Sequence, residues 1–273
     1  MISLENIIND LLDEGYDEEL APAKLCQDII LKAISKSKLS RNVTIKGGVV
    51  MRSLTDNIRR ATRDIDLDFI HYSIEDDAIR IFVQKMNCIP DVKIEIIGDI
   101  EELKHQDYHG KSIKVRITDE MGTSVDSKID IGVHKHLELE QEEYCFDVCM
   151  DDEGASLLKN SKEQSVVEKL RALLIFGVND RRYKDVYDMY YLKDELKIDI
   201  FLRYIDLLIF QDESMRENRL DDIVRRIENC LKDKNFLKRI SASRQRWIDV
   251  EVEIIAEEII AFFKGLSLPT GDK

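Results

Sequence analysis

The sequence predicts an α+β protein in two parts, a strand-bearing region over 1–154 and a helical region over 155–273. Three observations carry this. Between Thr44 and Met150 several short segments alternate charged and apolar residues with period two, as half-buried strands do. Before that region, and throughout the chain after Ser161, apolar residues recur at threes and fours, as on helices with one buried face. Finally, a hydrophobic content of 44%, with no internal repeat and no low-complexity stretch, marks a globular chain long enough to bury a sizeable core.

Ile2, Leu4, Ile7, Ile8 and Leu11 predict a helix over 2–12, and a second runs from about Ala23 to Ser35 behind a Pro22 suited to a first turn. Together they form an N-terminal layer on the core. Thr44 and Ile45 end an extended segment that Gly47 and Gly48 break, and Val49 to Leu54 has the spacing of a short helix. Asp64 to Phe69 then alternates carboxylate and hydrocarbon, so on a strand the three aspartates share one face while Ile65, Leu67 and Phe69 enter the core. Asp68 is expected to stay solvated. A helix over Ile74–Met86 is followed by two half-buried strands, Val92–Ile97 and Ser112–Thr118, expected to form a hairpin around Asp107 to Gly110. In Val125–Val133 the apolar Ile129, Ile131 and Val133 face one way, with Lys128 and Asp130 between them. Glu138 to Glu153 holds eight acidic residues and no basic one, which reads as a solvated loop or edge with a last short strand at Tyr144–Met150. The domain boundary is expected in a loop around Asp151 to Ser161. Beyond it, helices are predicted over Val166–Phe176, Arg181–Leu192, Ile198–Phe210, Leu220–Leu231 and Val250–Phe263, ahead of a frayed tail from Gly265.

Lys+Arg 41 against Asp+Glu 55 gives a net charge of −14, which excludes nucleic-acid binding through a generally positive surface. Any RNA partner must meet a local patch. Between Ser214 and Trp247 ten Lys/Arg face five Asp/Glu, either as an RNA grip with Trp247 stacking a base or, the preferred reading, as a solvated face with Trp247 in the core. The five cysteines are odd in number and lack paired CxxC spacing, so they are expected to be reduced thiols. His134 and His136 read as surface histidines at a strand end. No run approaches ~20 apolar residues and no apolar leader follows a basic start, so a soluble cytoplasmic protein with no membrane partner is expected.

The chemistry concentrates between Lys46 and Phe69. Glycines without Cβ atoms let backbone approach phosphates, and Asp64 beside Asp66 calls for a neutralising divalent cation such as Mg²⁺, which prefers oxygen ligands. A Gly-Gly turn after a strand, a helix, then Arg60-x-Thr62-x-Asp64-Ile65-Asp66-Leu67 resembles the nucleotidyltransferase signature of the AbiEii/AbiGii toxin family, which includes MenT-like toxins. Where that family usually has Thr-Ala-Leu after the glycines, this chain has Val49-Val50-Met51, which leaves phosphate contact to backbone N–H groups. Three further segments follow in the family's order: Lys128-Ile129-Asp130-Ile131, Glu168-Lys169-Leu170, and Arg181-x-x-Lys184-Asp185-x-x-Asp188-Met189-x-x-Leu192.

The resemblance implies a nucleotidyltransferase-like mixed sheet and a C-terminal helical bundle with the active cleft between them. It implies metal-dependent transfer of a nucleoside monophosphate from an NTP to an acceptor hydroxyl, with tRNA 3′ ends or another RNA as acceptor. It further implies a toxin role, in abortive infection or growth arrest, under a cognate antitoxin. In that reading Asp64 and Asp66 bind two Mg²⁺ (or Mn²⁺) ions and Asp130, with Asp126 as the alternative on the same strand face, completes the site. Gly47 and Gly48, with Lys46 or Arg60 and with Thr62 nearby, hold phosphates. Lys169 offsets charge on the leaving pyrophosphate, Asp188 orients Lys169 or the nucleotide, and Lys184 touches phosphate beside Asp185. From residue spacing alone, Arg181 with Asp185 and Lys184 with Asp188 are also ordinary i,i+4 surface pairs. Clustered carboxylates also suit a metal-dependent nuclease or phosphohydrolase, and a catalytically idle nucleotide-binding module is the third reading.

Overall fold

The computed structural model describes residues 2–103, 110–179 and 181–266. The chain divides into two compact units, residues 1–160 and 161–273.

The first unit opens with α1 (Leu4–Asp13) and α2 (Leu20–Lys36). Ser3 caps α1 through Asn6 N–H, and the Leu4 N–H donates to Asp119 Oδ2 at 3.1 Å, tying the start of the chain to the sheet. α2 is buried from almost every side, as its apolar residues all around the helix require. The polar residues it carries inward are all satisfied: Gln27 Nε2 donates to Thr62 O at 2.7 Å, Lys24 pairs with Asp28, and Lys32 Nζ reaches Asp151 Oδ1 and Gly154 O, each at 2.8 Å.

A seven-stranded mixed sheet follows, built from β1 (Val43–Lys46), β2 (Ile65–Phe69), β3 (Val92–Leu103), β4 (Gly110–Asp119), β5 (Ser124–Val133), β6 (Gln141–Val148) and β7 (Asp151–Asn160). Its order is β3-β4-β5-β2-β1-β7-β6. The β2–β5 and β1–β7 pairs are parallel and the others antiparallel, so the mixed sheet expected of an α+β chain is what forms. Helices α3 (Gly47–Thr55) and α4 (Asp76–Lys85) pack against β2 and β3 respectively. Along β2 and β5 the apolar positions Ile65, Leu67, Phe69, Ile129 and Ile131 are fully buried, and they place the alternating polar residues on a shared face.

The structure departs from the sequence reading at several points. Residues 151–160, expected as a loop, are strand β7: Ala155 and Leu157 are buried, and backbone pairing with β1 and β6 outweighs the acidic start of the segment. Three residues of the acidic run, Glu142, Glu143 and Asp147, lie on β6, an edge strand, where charge discourages pairing with other chains. The β3–β4 hairpin forms, and residues 107–109 of its expected turn lie outside the described residues.

The second unit is helical: α5 (Lys162–Phe176), α6 (Tyr183–Leu192), α7 (Ile198–Ile205), α8 (Leu220–Leu231), α9 (Lys234–Ser241) and α10 (Val252–Gly265). Ser161 Oγ accepts from Gln164 N–H at 3.1 Å and starts α5, and Gly177, at φ +55, ends it. The helix expected over 198–210 is α7 followed by a π-helical turn, Asp206–Phe210. α9 has no counterpart in the sequence reading. Trp247 is 2% exposed and packs on Tyr191 with ring centroids 5.4 Å apart, so it belongs to the core and stacks no ligand. Among the described residues no helix is long and apolar enough to cross a membrane.

Candidate active site

Register decides what β1, β2 and β5 put together. Asp66 lies opposite Asp130 on β5 and opposite Lys46 on β1, and Asp130 in turn lies opposite Ser112 on β4. Lys46, Asp66, Asp130 and Ser112 therefore form one row across four strands. Asp64 sits just ahead of β2, about half exposed, on the same side as Lys128. Lys128 Nζ lies 2.7 Å from Asp130 Oδ2 and 3.9 Å from Asp64 Oδ2. Burial works against its charge, but the Asp130 hydrogen bond and the fields of Asp130, Asp64 and Asp66 outweigh it and hold the ammonium pKa above its usual value. The second Asp130 oxygen, Oδ1, is buried without a hydrogen-bond partner among the described residues. An orphaned carboxylate oxygen costs stability unless a ligand completes it.

The glycine pair meets this row at close range. Gly47, at φ +67, is the first residue of α3, and a Cβ there would overlap the Asp66 carboxylate. A Cβ on Gly48 would lie 2.6 Å from Thr62. No side chain caps the start of α3 at Gly47. Such a helix start favours anions. Thr62 is fixed from below by Gln27 through its carbonyl. Arg60 ends a short 3₁₀ turn and is 3% exposed.

Three expectations change. Asp68 is not solvated: it is 6% exposed, and its carboxylate pairs with Lys46 Nζ at 2.6 Å. It fits there because Gly132 on β5 has no side chain; a Cβ would overlap Asp68 Oδ1 and lie 3.3 Å from Lys46 Nζ. Lys46 is thereby held by a carboxylate. His134 is buried, at 8% exposure, since its N–H pairs with Phe69 O and carries it under the strand ends; burial lowers its pKa. The alternative ligand Asp126 is committed to a two-pronged pair with Arg116 at 2.7 and 2.9 Å, which lowers its pKa. The five cysteines carry free thiols, with Cys26 pushed up to about 12 by burial.

The predicted residues of the second unit also meet. Lys169 Nζ on α5 lies 2.8 Å from both Asp185 Oδ1 and Asp188 Oδ2 on α6, with Asp188 fully buried. Asp185 is reached by Arg182 at 4.0 Å in place of the Arg181 expected from spacing. Lys184 is half-buried on the same helix. Sequence reasoning missed Lys128 as the partner of Asp130 and Gly132 as the space for Asp68. The first had a signal, since residues two apart on a strand share a face; the second needed the register.

Among the described residues no three His, Cys, Asp or Glu side chains are gathered as a ready metal cage. The family model for the nucleotidyl transferase AbiEii toxin of type IV toxin–antitoxin systems matches residues 29–235. No curated protein matches. The chain is also similar to the crystal structure of an antigenic nucleotidyltransferase-like protein from Paracoccidioides brasiliensis, at 14% identity and a TM-score of 0.46, with 81% of this chain and 93% of that chain covered.

Proposed function

The chain belongs to the AbiEii nucleotidyltransferase toxin family, and from that premise we propose that it transfers a nucleoside monophosphate from an NTP to the hydroxyl of an RNA acceptor, the 3′ end of a tRNA being the first choice. The observation that carries this reading is the pairing of Asp66 with Asp130 on adjacent parallel strands, beside an uncapped helix start and with Asp130 Oδ1 unsatisfied. That donor set of hard oxygens fits Mg²⁺ or Mn²⁺, which Asp64, Asp66 and Asp130 would hold. A divalent cation bound there supplies Lewis-acid charge to the acceptor oxygen and the phosphates.

The chain's own groups divide the remaining work. N–H groups of Gly47 and Gly48 hold phosphate oxygens, with Lys46, paired with Asp68, adding positive charge. Asp130 receives the acceptor's proton as the hydroxyl oxygen bonds to the α-phosphorus. The bond from that phosphorus to the β-phosphate oxygen breaks, and pyrophosphate leaves with the electron pair. Lys169, its ammonium fixed by Asp185 and Asp188, offsets the leaving charge in this proposal. A cytoplasmic setting, a cognate antitoxin and a role in phage defence complete the reading as the family suggests it.

Purified protein incubated with a divalent cation, each α-labelled NTP and total tRNA, then resolved on a denaturing gel, tests it. Label in tRNA is expected, and Asp66→Ala should remove it by at least about a hundredfold while melting with the parent. Shortened, unlabelled tRNA would replace the proposal with a nuclease, and label retained in Asp66→Ala would overturn the site.

A further inference from the structure

The second unit carries a locally positive surface, with Arg182 at its edge 4.0 Å from Asp185. Along α8 the charges cancel locally: Asp222 engages Arg219 and Arg225, while Glu228 engages Lys232 and Lys264, which hold its pKa down at about 2. From Lys234 to Arg246 there are five basic residues and no acidic one. Arg246 turns inward to Ile248 O and Val250 O, whereas Lys234, Lys238, Arg239 and Arg244 are exposed. In a chain of net charge −14 this is a local reversal of sign.

The patch is continuous with the C-terminal end of α5. Arg239 donates to Val178 O, and its guanidinium carbon lies 5.7 Å from the Phe236 ring, which neighbours Tyr183 at 6.2 Å. Next to Tyr183, Arg182 lies over Phe176, 4.8 Å from the ring centroid, with its side chain 52% exposed. Phe176 itself is 42% exposed and Ile175 41%. Large apolar side chains at that exposure, one of them supporting a flat cation, have no role in the core. The same helix end borders a cavity of about 180 Å³ lined in part by Ser214, Arg216, Glu217 and Arg226, where Arg226 Nε is buried without a hydrogen-bond partner.

We propose that this surface, centred on Phe176, Arg182, Lys238 and Arg239, grips single-stranded RNA, with phosphates on the cations and an unpaired base laid on the Arg182 plane that Phe176 supports. Cations spaced along a helix neutralise a phosphate backbone, and a supported guanidinium plane accepts any base by stacking. The stacking platform favours RNA over an acidic protein segment, which needs the charge alone. The inference deepens the transferase reading and rests on it for the choice of RNA; the grip itself is read without any transfer.

A fluorescein-labelled single-stranded RNA, titrated with the full chain in the absence of NTP and divalent cation, reads it by anisotropy. Affinity should fall steeply with salt. Lys234→Gln/Lys238→Gln, both exposed and outside the core, should flatten the salt dependence by about 0.7 in slope per lost phosphate contact. Phe176→Ala and Arg182→Gln should each weaken binding about tenfold. Equal affinity of parent and variants, or no binding by the parent, overturns the surface. A poly-glutamate peptide bound as tightly, and lost in the same variants including Phe176→Ala, would assign the face to an acidic protein instead and overturn the RNA reading. RNA bound through this face with no label transferred in the gel assay would uphold the grip and sink the transferase.

Discussion

Two clusters of aspartate and lysine sit in this chain, one in each unit, and they are built to opposite ends. In the second unit Lys169 lies between two carboxylates at equal distances, and the deeper one, Asp188, has no solvent exposure. In the first, Asp64, Asp66 and Asp130 gather around one Lys128, and Asp130 keeps a buried oxygen without a partner. A charge buried as completely as Asp188 survives only with its counter-ion in contact. The strand cluster is unfinished by the same rule and asks for further positive charge. The contrast separates an ion cluster whose charges are closed on one another from one that still has an unsatisfied oxygen.

The largest effect is expected where the ion cluster is closed. Asp188→Ala breaks the fully buried half of the cluster and leaves Lys169 with Asp185 alone, and should cost about 3 kcal/mol, read as a lowered denaturant midpoint, whereas Asp185→Ala, at a more exposed position, should cost less. Equal losses would erase the distinction between the two aspartates. Gly132→Ala comes next: the new methyl must displace the Asp68–Lys46 pair, at about 1–3 kcal/mol and with weaker NTP binding by calorimetry. If NTP affinity is untouched, Lys46 has no place at the phosphates. Lys128→Gln removes the ammonium beside Asp64 and Asp130, and Mn²⁺ should then bind about tenfold more tightly by paramagnetic titration; unchanged or weaker binding would mean that Lys128 does not compete for those oxygens.

The smallest effect concerns pH. Burial holds the His134 pKa below its ordinary 6.5, with the Asp68 charge opposing. As pH falls below that ordinary value the unfolded chain takes the proton first, so stability declines until the folded pKa is passed. Replacing His134 by Gln should flatten that decline between pH 6.5 and 5 in thermal melts. A variant with the parent's pH profile would place the titration elsewhere.

What could be read from the sequence follows the range of the forces involved. Asp64 and Asp66 stand out because strand alternation is local, and α5 and α6 because their apolar stripes are long. β7 did not, because its acidic opening and Gly154 hide a strand whose partners lie at residues 44–45 and 141–148. α9 has eight residues, with only Phe236 and Ile240 buried, too little to show a period. The solvated place assigned to Asp68 failed for a subtler reason. Asp64, Asp66 and Asp68 are equivalent in alternation, and only the position of Gly132 on the neighbouring strand separates the one that is covered from the two that are not.

The sheet order also sets a clock. β1 lies between β2, made soon after it, and β7, made more than a hundred residues later, and Lys32 on α2 finds acceptors at Asp151, Glu153 and Gly154. During synthesis the nascent chain thus carries its aspartates and glycines on a sheet that lacks one central neighbour, and such long-range closure comes late. The glycine turn after β1, to which the proposed function gives the phosphates, gains its full support only once residue 160 has emerged, so the geometry of the strand aspartates is completed late in synthesis.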